Sequence, residues 1–178
     1  KELICPQPIV ATYAGKDPEL AAVFEAAVET FKQNAVDIFM DCPTRERAGW
    51  LCDSFFTART EWALTGNNVI ERAFLENYRL PERFDFLPEG MIPMCYPSDA
   101  LAGQFIPNWA MWFVLELEEY LHRSGDRELV DRAKTRVYEL VDYFKPFLNE
   151  DGLLEKLSRW VFVEWSAANS LVQDVNYP

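Results

Sequence analysis

The tetrapeptide Leu64-Thr65-Gly66-Asn67 recurs in kind as Arg123-Ser124-Gly125-Asp126, 59 positions later. Each consists of a helix end, a glycine free to turn left-handed, and a polar residue placed to cap the next helix. Repeated punctuation of this sort between apolar-periodic stretches predicts helical hairpins stacked side by side, none of which buries its apolar face alone.

The stretches between the punctuation agree. Asp17 followed by Pro18 marks a helix start, and Leu20, Val23, Phe24, Ala27, Val28 and Phe31 then recur in three- and four-residue steps, a stripe read as core as far as about Asn34. A second helix is expected over about 53–64, a third from a cap at Asn67 to about Tyr78, a fourth over about 104–123, and a fifth from a cap at Asp126 to about Phe147. The fourth is apolar on most sides through Leu115 and reads as an inner helix. Its Glu116, Glu118 and Glu119 read as a solvated face, with His122 and Arg123 complementing the helix C-terminus. The fold class is therefore all-α. Extended pieces are expected only in loops, at 1–16, at 36–40, and as a short strand in the β-prone run Trp160-Val161-Phe162-Val163-Glu164-Trp165. Between Leu80 and Pro107, four prolines (Pro81, Pro88, Pro93, Pro97) and two glycines (Gly90, Gly103) break any helix; a loop of that length in a compact fold reads as a lid or a site wall.

At 178 residues and 49% apolar content the chain has the material for a core, and a net charge of −12 argues against nucleic acid and anionic membrane surfaces as partners. No run reaches the ~18 consecutive apolar residues of a membrane helix. Cys5, Cys42, Cys52 and Cys95 show no C-x-x-C spacing and have only His122 for company, so zinc is not expected; buried thiols are the favoured reading, a Cys42–Cys52 bridge the alternative. The chain begins at Lys1 rather than Met and reads as a piece of a longer protein, which leaves periplasmic, extracellular and cytoplasmic locations all open.

Chemistry is concentrated in Asp41-Cys42-Pro43-Thr44-Arg45-Glu46-Arg47-Ala48-Gly49-Trp50-Leu51-Cys52-Asp53, at the end of a hairpin. Pro43 disfavours helix at Cys42 and Gly49 permits a sharp turn, so Asp41, Glu46 and Asp53 can converge. Crowded carboxylates separate in pKa: one among apolar neighbours or beside another carboxylate keeps its proton and serves as a general acid, while those beside Arg45 or Arg47 stay ionised. With Trp50 as an apolar wall, such a set suits a sugar, offering acceptors for hydroxyls, a surface for C–H faces and an acid for a departing glycosidic oxygen. The bland alternative is a helix-capping loop with surface ion pairs.

This run, with Phe39-Met40 before it and Ser54-Phe55-Phe56-Thr57-Ala58-Arg59 after it, resembles the signature of bacterial α-L-rhamnosidases, family 78 of the glycoside hydrolases. Many members carry an extra acidic residue between the Arg and the Glu, and Gly in place of Cys52; this chain has the shorter variant. The resemblance implies an (α/α)6 toroid, inversion at the sugar, Glu46 as general acid, Asp41 and Asp53 as ligands of rhamnose hydroxyls, and Trp50 packed on the ring, with Arg45 in the same substrate-binding group. Asp99 and Trp109 loosely resemble a further family segment, which makes Trp109 a candidate pocket wall against a default of core packing. Short strands of such toroids sit in loops at one rim, so Glu164 and Trp165 are expected near the pocket. Residues 1–178 then form the N-terminal half of the ring. The general base is expected beyond Pro178, in the remainder of the parent chain, and the fragment alone is expected to be inactive. No metal or other cofactor is required by these residues. Another toroidal glycosidase with a different sugar, or a non-catalytic helical-repeat module that binds a basic partner, are the alternatives.

Overall fold

The computed structural model describes residues 3–98 and 103–166. Among these the helices are α1 (Pro18–Asn34), α2 (Leu51–Thr65), α3 (Val69–Arg79), the single turn α4 (Pro107–Ala110), α5 (Trp112–Ser124) and α6 (Arg127–Phe144), with a 3-10 turn at Lys145–Phe147. The predicted punctuation forms. Gly66 and Gly125 both turn left-handed, at φ 71° and 69°, and donate back to the carbonyls of Trp62 and Leu121. Asp17 caps α1 by accepting from the N–H groups of Glu19 and Leu20, and Asp126 caps α6 by accepting from Leu129. At α3 the cap is a long-range one. Asn67 only accepts weakly from the Val69 N–H, whereas the Glu61 carboxylate, projecting from α2, takes the N–H groups of Ile70 and Glu71 at 2.8 and 2.9 Å. An anion is favoured there by the unpaired amides and the helix dipole.

Side-chain pairs give the helix directions. Ser54 and Arg59 of α2 meet Glu116 and Glu119 of α5 in the same order, so α2 and α5 run parallel. Glu71 at the start of α3 meets Arg123 at the end of α5, and Tyr78 near its end stacks on Phe113 near the start of α5, so these two are antiparallel. Arg72 reaches Asp126 before α6, and Arg136 within α6 reaches the Pro81 carbonyl after α3, so α3 and α6 run parallel. The result is two layers, α2 with α5 and α3 with α6, joined by hairpin turns. Phe74, Leu75, Tyr78, Phe113, Leu117 and Tyr120 form the centre of the core between them.

Several expectations are corrected by this packing. In α1 only Phe31 is fully buried; Phe24 and Val28 rest against the core and Phe24 meets the Tyr13 ring, but Leu20 and Val23 stay 54% and 64% exposed. The fourth helix starts at Pro107, three residues later than expected, and breaks at Met111 into α4 and α5. The fifth ends at Phe144, since Pro146 has no N–H for a further α turn and the chain tightens to 3-10. No strand forms among the described residues, which hold only the isolated bridges Ala35–Phe39, Trp50–Cys95 and Leu148–Leu154. The 160–165 run stays unpaired as a ladder, and its rings pack on one another instead. Glu116 is not solvated: it is 2% exposed, and Glu119 bridges Arg59 and Arg123. Nor is the whole of 80–107 a lid, because Met91, Ile92, Met94 and Cys95 are buried.

Candidate active site

The charged loop is closed by its own first residue. The Asp41 N–H donates to the Ala48 carbonyl at 3.2 Å, and the Ala48 N–H donates back to Asp41 Oδ1 at 3.0 Å. Arg47, at φ 53°, makes the left-handed turn that had been expected of Gly49. Gly49 is required for a different reason. The 94–96 segment crosses it, with the Leu51 N–H donating to the Met94 carbonyl and the Tyr96 N–H to the Gly49 carbonyl, and a Cβ on Gly49 would lie 2.6 Å from the Tyr96 carbonyl oxygen and 2.8 Å from the Phe74 ring. The Tyr78 hydroxyl, fully buried, donates to the same Gly49 carbonyl at 2.8 Å. Residues 94–96 are thus a strap that fixes the motif on the helices, and α2 starts at Leu51, two residues earlier than expected, with Trp50 as its N-cap.

The three carboxylates end up in different surroundings. Glu46 lies on the exposed outer side of the loop, where Arg45 Nε donates to its Oε2 at 2.6 Å and the Cys42 thiol approaches the same oxygen at 3.2 Å. The Arg45 guanidinium, followed by the Cys42 contact, holds Glu46 down at about 2, so the free site carries it ionised. Asp53, in the first turn of α2, moves the other way: crowding by protein removes part of its hydration and Asp41 adds repulsion, so its pKa is raised. Asp53 nevertheless keeps solvent contact, and a hydrogen bond from its own backbone N–H opposes the rise. Asp41 and Asp53 line one cavity of about 490 Å³, together with Thr57 and Thr60 of α2 and Ala27 and Thr30 of α1; Glu46, Trp50, Trp109 and Trp165 are not among its lining residues. Asp41, Cys42 and Glu46 each offer a ligand atom within 4.8 Å of the others, a spacing that admits a cation, and Arg45 is the positive charge that sits on Glu46 here.

Behind the loop lies an aromatic wall. Ala48, Met94, Cys95, Ile106, Trp109 and Phe162 make a second small core, on which Trp50, Cys52 and Trp160 rest half-buried. Trp109 stacks edge-on to Phe162 at 5.1 Å, and Phe162 carries Trp165 at 4.7 Å, the latter 79% exposed. Glu164 accepts from the Ser166 N–H. The four thiols are free; Cys5 and Cys95 are buried, and burial beside Asp53 and Glu116 pushes Cys52 up to about 12.

The family described as bacterial alpha-L-rhamnosidase 6 hairpin glycosidase domain matches residues 9–177, almost the entire chain. The chain belongs to this family. Among solved structures, it is similar to the GH78 family rhamnosidase of Bacillus sp. GL1, with a TM-score of 0.78 and 23% identity over 91% of this chain and 16% of that one. It is also similar to the rhamnosidase from Klebsiella oxytoca with rhamnose bound, with a TM-score of 0.75 and 23% identity over 90% of this chain and 31% of that one. The chain thus spans about a sixth and a third of the lengths of these two proteins. No curated protein sequence matches it.

Within this six-hairpin glycosidase domain the structure brings Asp41 and Asp53 to one cavity, puts Glu46 with Arg45 on the loop above, and sets Trp50 and Trp109 in the wall behind. Asp99 lies outside the described residues. Sequence reading missed the strap at 94–96, since nothing local in Met94-Cys95-Tyr96 announces a partner 45 residues away. It also missed Glu116, although a signal was there: Phe113, Glu116, Leu117 and Tyr120 follow the spacing of one helical face.

Proposed function

We propose that the full-length protein is an inverting glycosidase that removes terminal α-L-rhamnosyl residues, and that this chain is the N-terminal half of its catalytic ring. The observation that carries the reading is that Asp41 and Asp53 line one cavity at the start of α2, beside the loop that holds Glu46, in a domain of the rhamnosidase family; that the Klebsiella relative has rhamnose bound supports the sugar. Glu46 protonates the departing glycosidic oxygen. To do so it must take up a proton that Arg45 now discourages. Arg45 is 82% exposed with Glu46 as its partner, so this is a screened surface pair that a docking sugar displaces at small cost. Loss of the guanidinium and of water then raises the Glu46 pKa toward the range a general acid needs. Asp41 spends one oxygen on Ala48 and turns the other, with Asp53, to sugar hydroxyls, while Trp50 shapes the subsite. The base is a carboxylate from the rest of the parent chain, ~6.5–9.5 Å from the acid with a water between.

A second assignment has its own observation: Asp53 is the carboxyl with the raised pKa, which suits it to be the acid. Leaving-group dependence separates them. In the full-length protein, Glu46→Gln is expected to lower hydrolysis of an alkyl α-L-rhamnoside by ~10²–10⁴-fold and to spare an aryl rhamnoside whose leaving group needs little protonation. If Asp53→Asn shows that pattern and Glu46→Gln does not, Asp53 is the acid. A folded protein inactive on rhamnosides but active on another glycoside transfers the reading to a sister toroidal glycosidase; inactivity on all leaves the helical-repeat binding module.

A further inference from the structure

Beneath the first turn of α2, Ser54 Oγ makes two contacts: one to the Leu51 carbonyl at 2.6 Å and one to Glu116 Oε1 from α5. A hydroxyl has one hydrogen and the carbonyl can only accept. With Ser54 donating to Leu51, the close approach of Glu116 Oε1 has a hydrogen of its own when Glu116 donates to Ser54. From this we infer that Glu116 is a neutral carboxylic acid and a positioning residue, which locks the turn of α2 that presents Trp50 and Asp53 to the site; its link to catalysis rests on the function proposed above.

The surroundings agree. Glu116 Oε2 is buried without a partner, tolerable for the carbonyl oxygen of an acid and severe for a carboxylate. The groups facing it are Cys52 on α2, Glu71 and Tyr78 on α3, and Arg123 on α5. Of these only Arg123 is cationic, and its two terminal nitrogens are taken by Glu71 and Glu119. Burial foremost, then repulsion from Glu71, raises the Glu116 pKa far above the usual range. The donor chain Glu116 to Ser54 to Leu51 ties the second turn of α5 to the first of α2. Asp53 is held by this tie while Asp41 and Glu46 are held by the loop, so the tie sets the one relative to the others.

The first test needs no substrate. An infrared difference spectrum of the full-length protein against Glu116→Gln at neutral pH is expected to show the carbonyl stretch of a protonated carboxyl, weakened in hydrogen bonding by Ser54→Ala. A carboxylate band in its place overturns the inference whether or not the protein is a rhamnosidase. The second reads catalysis. Glu116→Gln keeps an amide donor for Ser54 and exchanges one neutral group for another, so kcat/KM stays within about threefold and the pH–rate profile does not move. Were Glu116 ionised, the same change would remove a negative charge near Asp53 and shift the profile to lower pH, which overturns it too. Ser54→Ala leaves packing nearly intact and is expected to lower kcat/KM by ~10–100-fold through a misplaced first turn, with KM raised more than kcat is lowered. Wild-type kinetics from a folded Ser54→Ala would deny the positioning role. Absence of rhamnosidase activity in the unmutated protein would count against the proposed function and leave the infrared result standing.

Discussion

Gly49 shows how a single position in the motif can be fixed by sterics rather than by chemistry. Its carbonyl receives Tyr78 and Tyr96, and its missing Cβ is the space in which the Tyr96 carbonyl lies. Gly49→Ala is expected to destabilise the protein by about 2–3 kcal/mol, because the obstacle is backbone and cannot rotate away; denaturant unfolding of the full-length variant measures it, and a loss below about 0.5 kcal/mol would mean that the strap gives way freely. Trp50 illustrates the opposite case. It packs half-buried on the second core through one side and leaves the rest to solvent. Trp50→Ala is expected to weaken sugar binding, read by titration calorimetry, with a thermal midpoint only modestly lowered; a collapse of the midpoint with affinity unchanged would assign the ring to packing alone.

At the level of helices, the join between α2 and α3 depends on one carboxylate. Glu61 is fully buried, and its two oxygens serve the otherwise unpaired N–H groups of Ile70 and Glu71. Glu61→Ala strands two buried donors and removes an anion from a helix N-terminus, for an expected loss of about 2–4 kcal/mol. Urea unfolding would show it, and hydrogen exchange should quicken first in the opening turn of α3. Further along, Arg123 clamps Glu71 and Glu119 and so joins α3 to α5, while Arg59 reaches Glu119 from α2. The three helices meet through these few ionic contacts at the end of α2 away from the Asp41–Asp53 loop. The apolar core supplies the bulk of their attraction, and the charges set the register in which it packs.

For the molecule as a whole, the buried carboxyls fix the sign of its pH response. Burial raises Glu61, Glu71 and Glu116 above their ordinary value of 4.5, so the native state holds more protons than the unfolded chain above that pH. Stability from these groups is full below about 4.5 and declines as pH climbs through their native values. Glu119 acts in reverse: hydrogen-bonded by Arg59, it is lowered to about 2, so its contribution is present above 4.5 and is lost as pH falls toward about 2. Stability, read as the thermal midpoint, is therefore expected to be greatest near pH 4–5 and to fall as pH rises above that, the free energy changing by up to ~1.4 kcal/mol per pH unit for each proton taken up. Repulsion within a chain of net charge −12 works in the same direction. A midpoint that rises steadily from pH 5 to 8 would contradict this.

What the sequence by itself determined is what neighbours along the chain determine. Asp17 and Asp126 cap the helices they precede, Gly66 and Gly125 end theirs, and the thirteen residues from Asp41 to Asp53 are distinctive enough to place the chain in its family. Hydrogen bonds three or four residues long and a contiguous motif are visible in one dimension. The tertiary structure alone decided which charges are buried and which carboxylate feels which neighbour. Glu116 reads as solvated until Ser54 of another helix comes to lie on it; Glu61 reads as an ordinary helix residue until α3 begins on it; Leu20 and Val23 read as core until the packing of α1 leaves them exposed. Desolvation depends on atoms brought from far along the chain, so a carboxyl's pKa and a glycine's necessity are properties of the packed molecule.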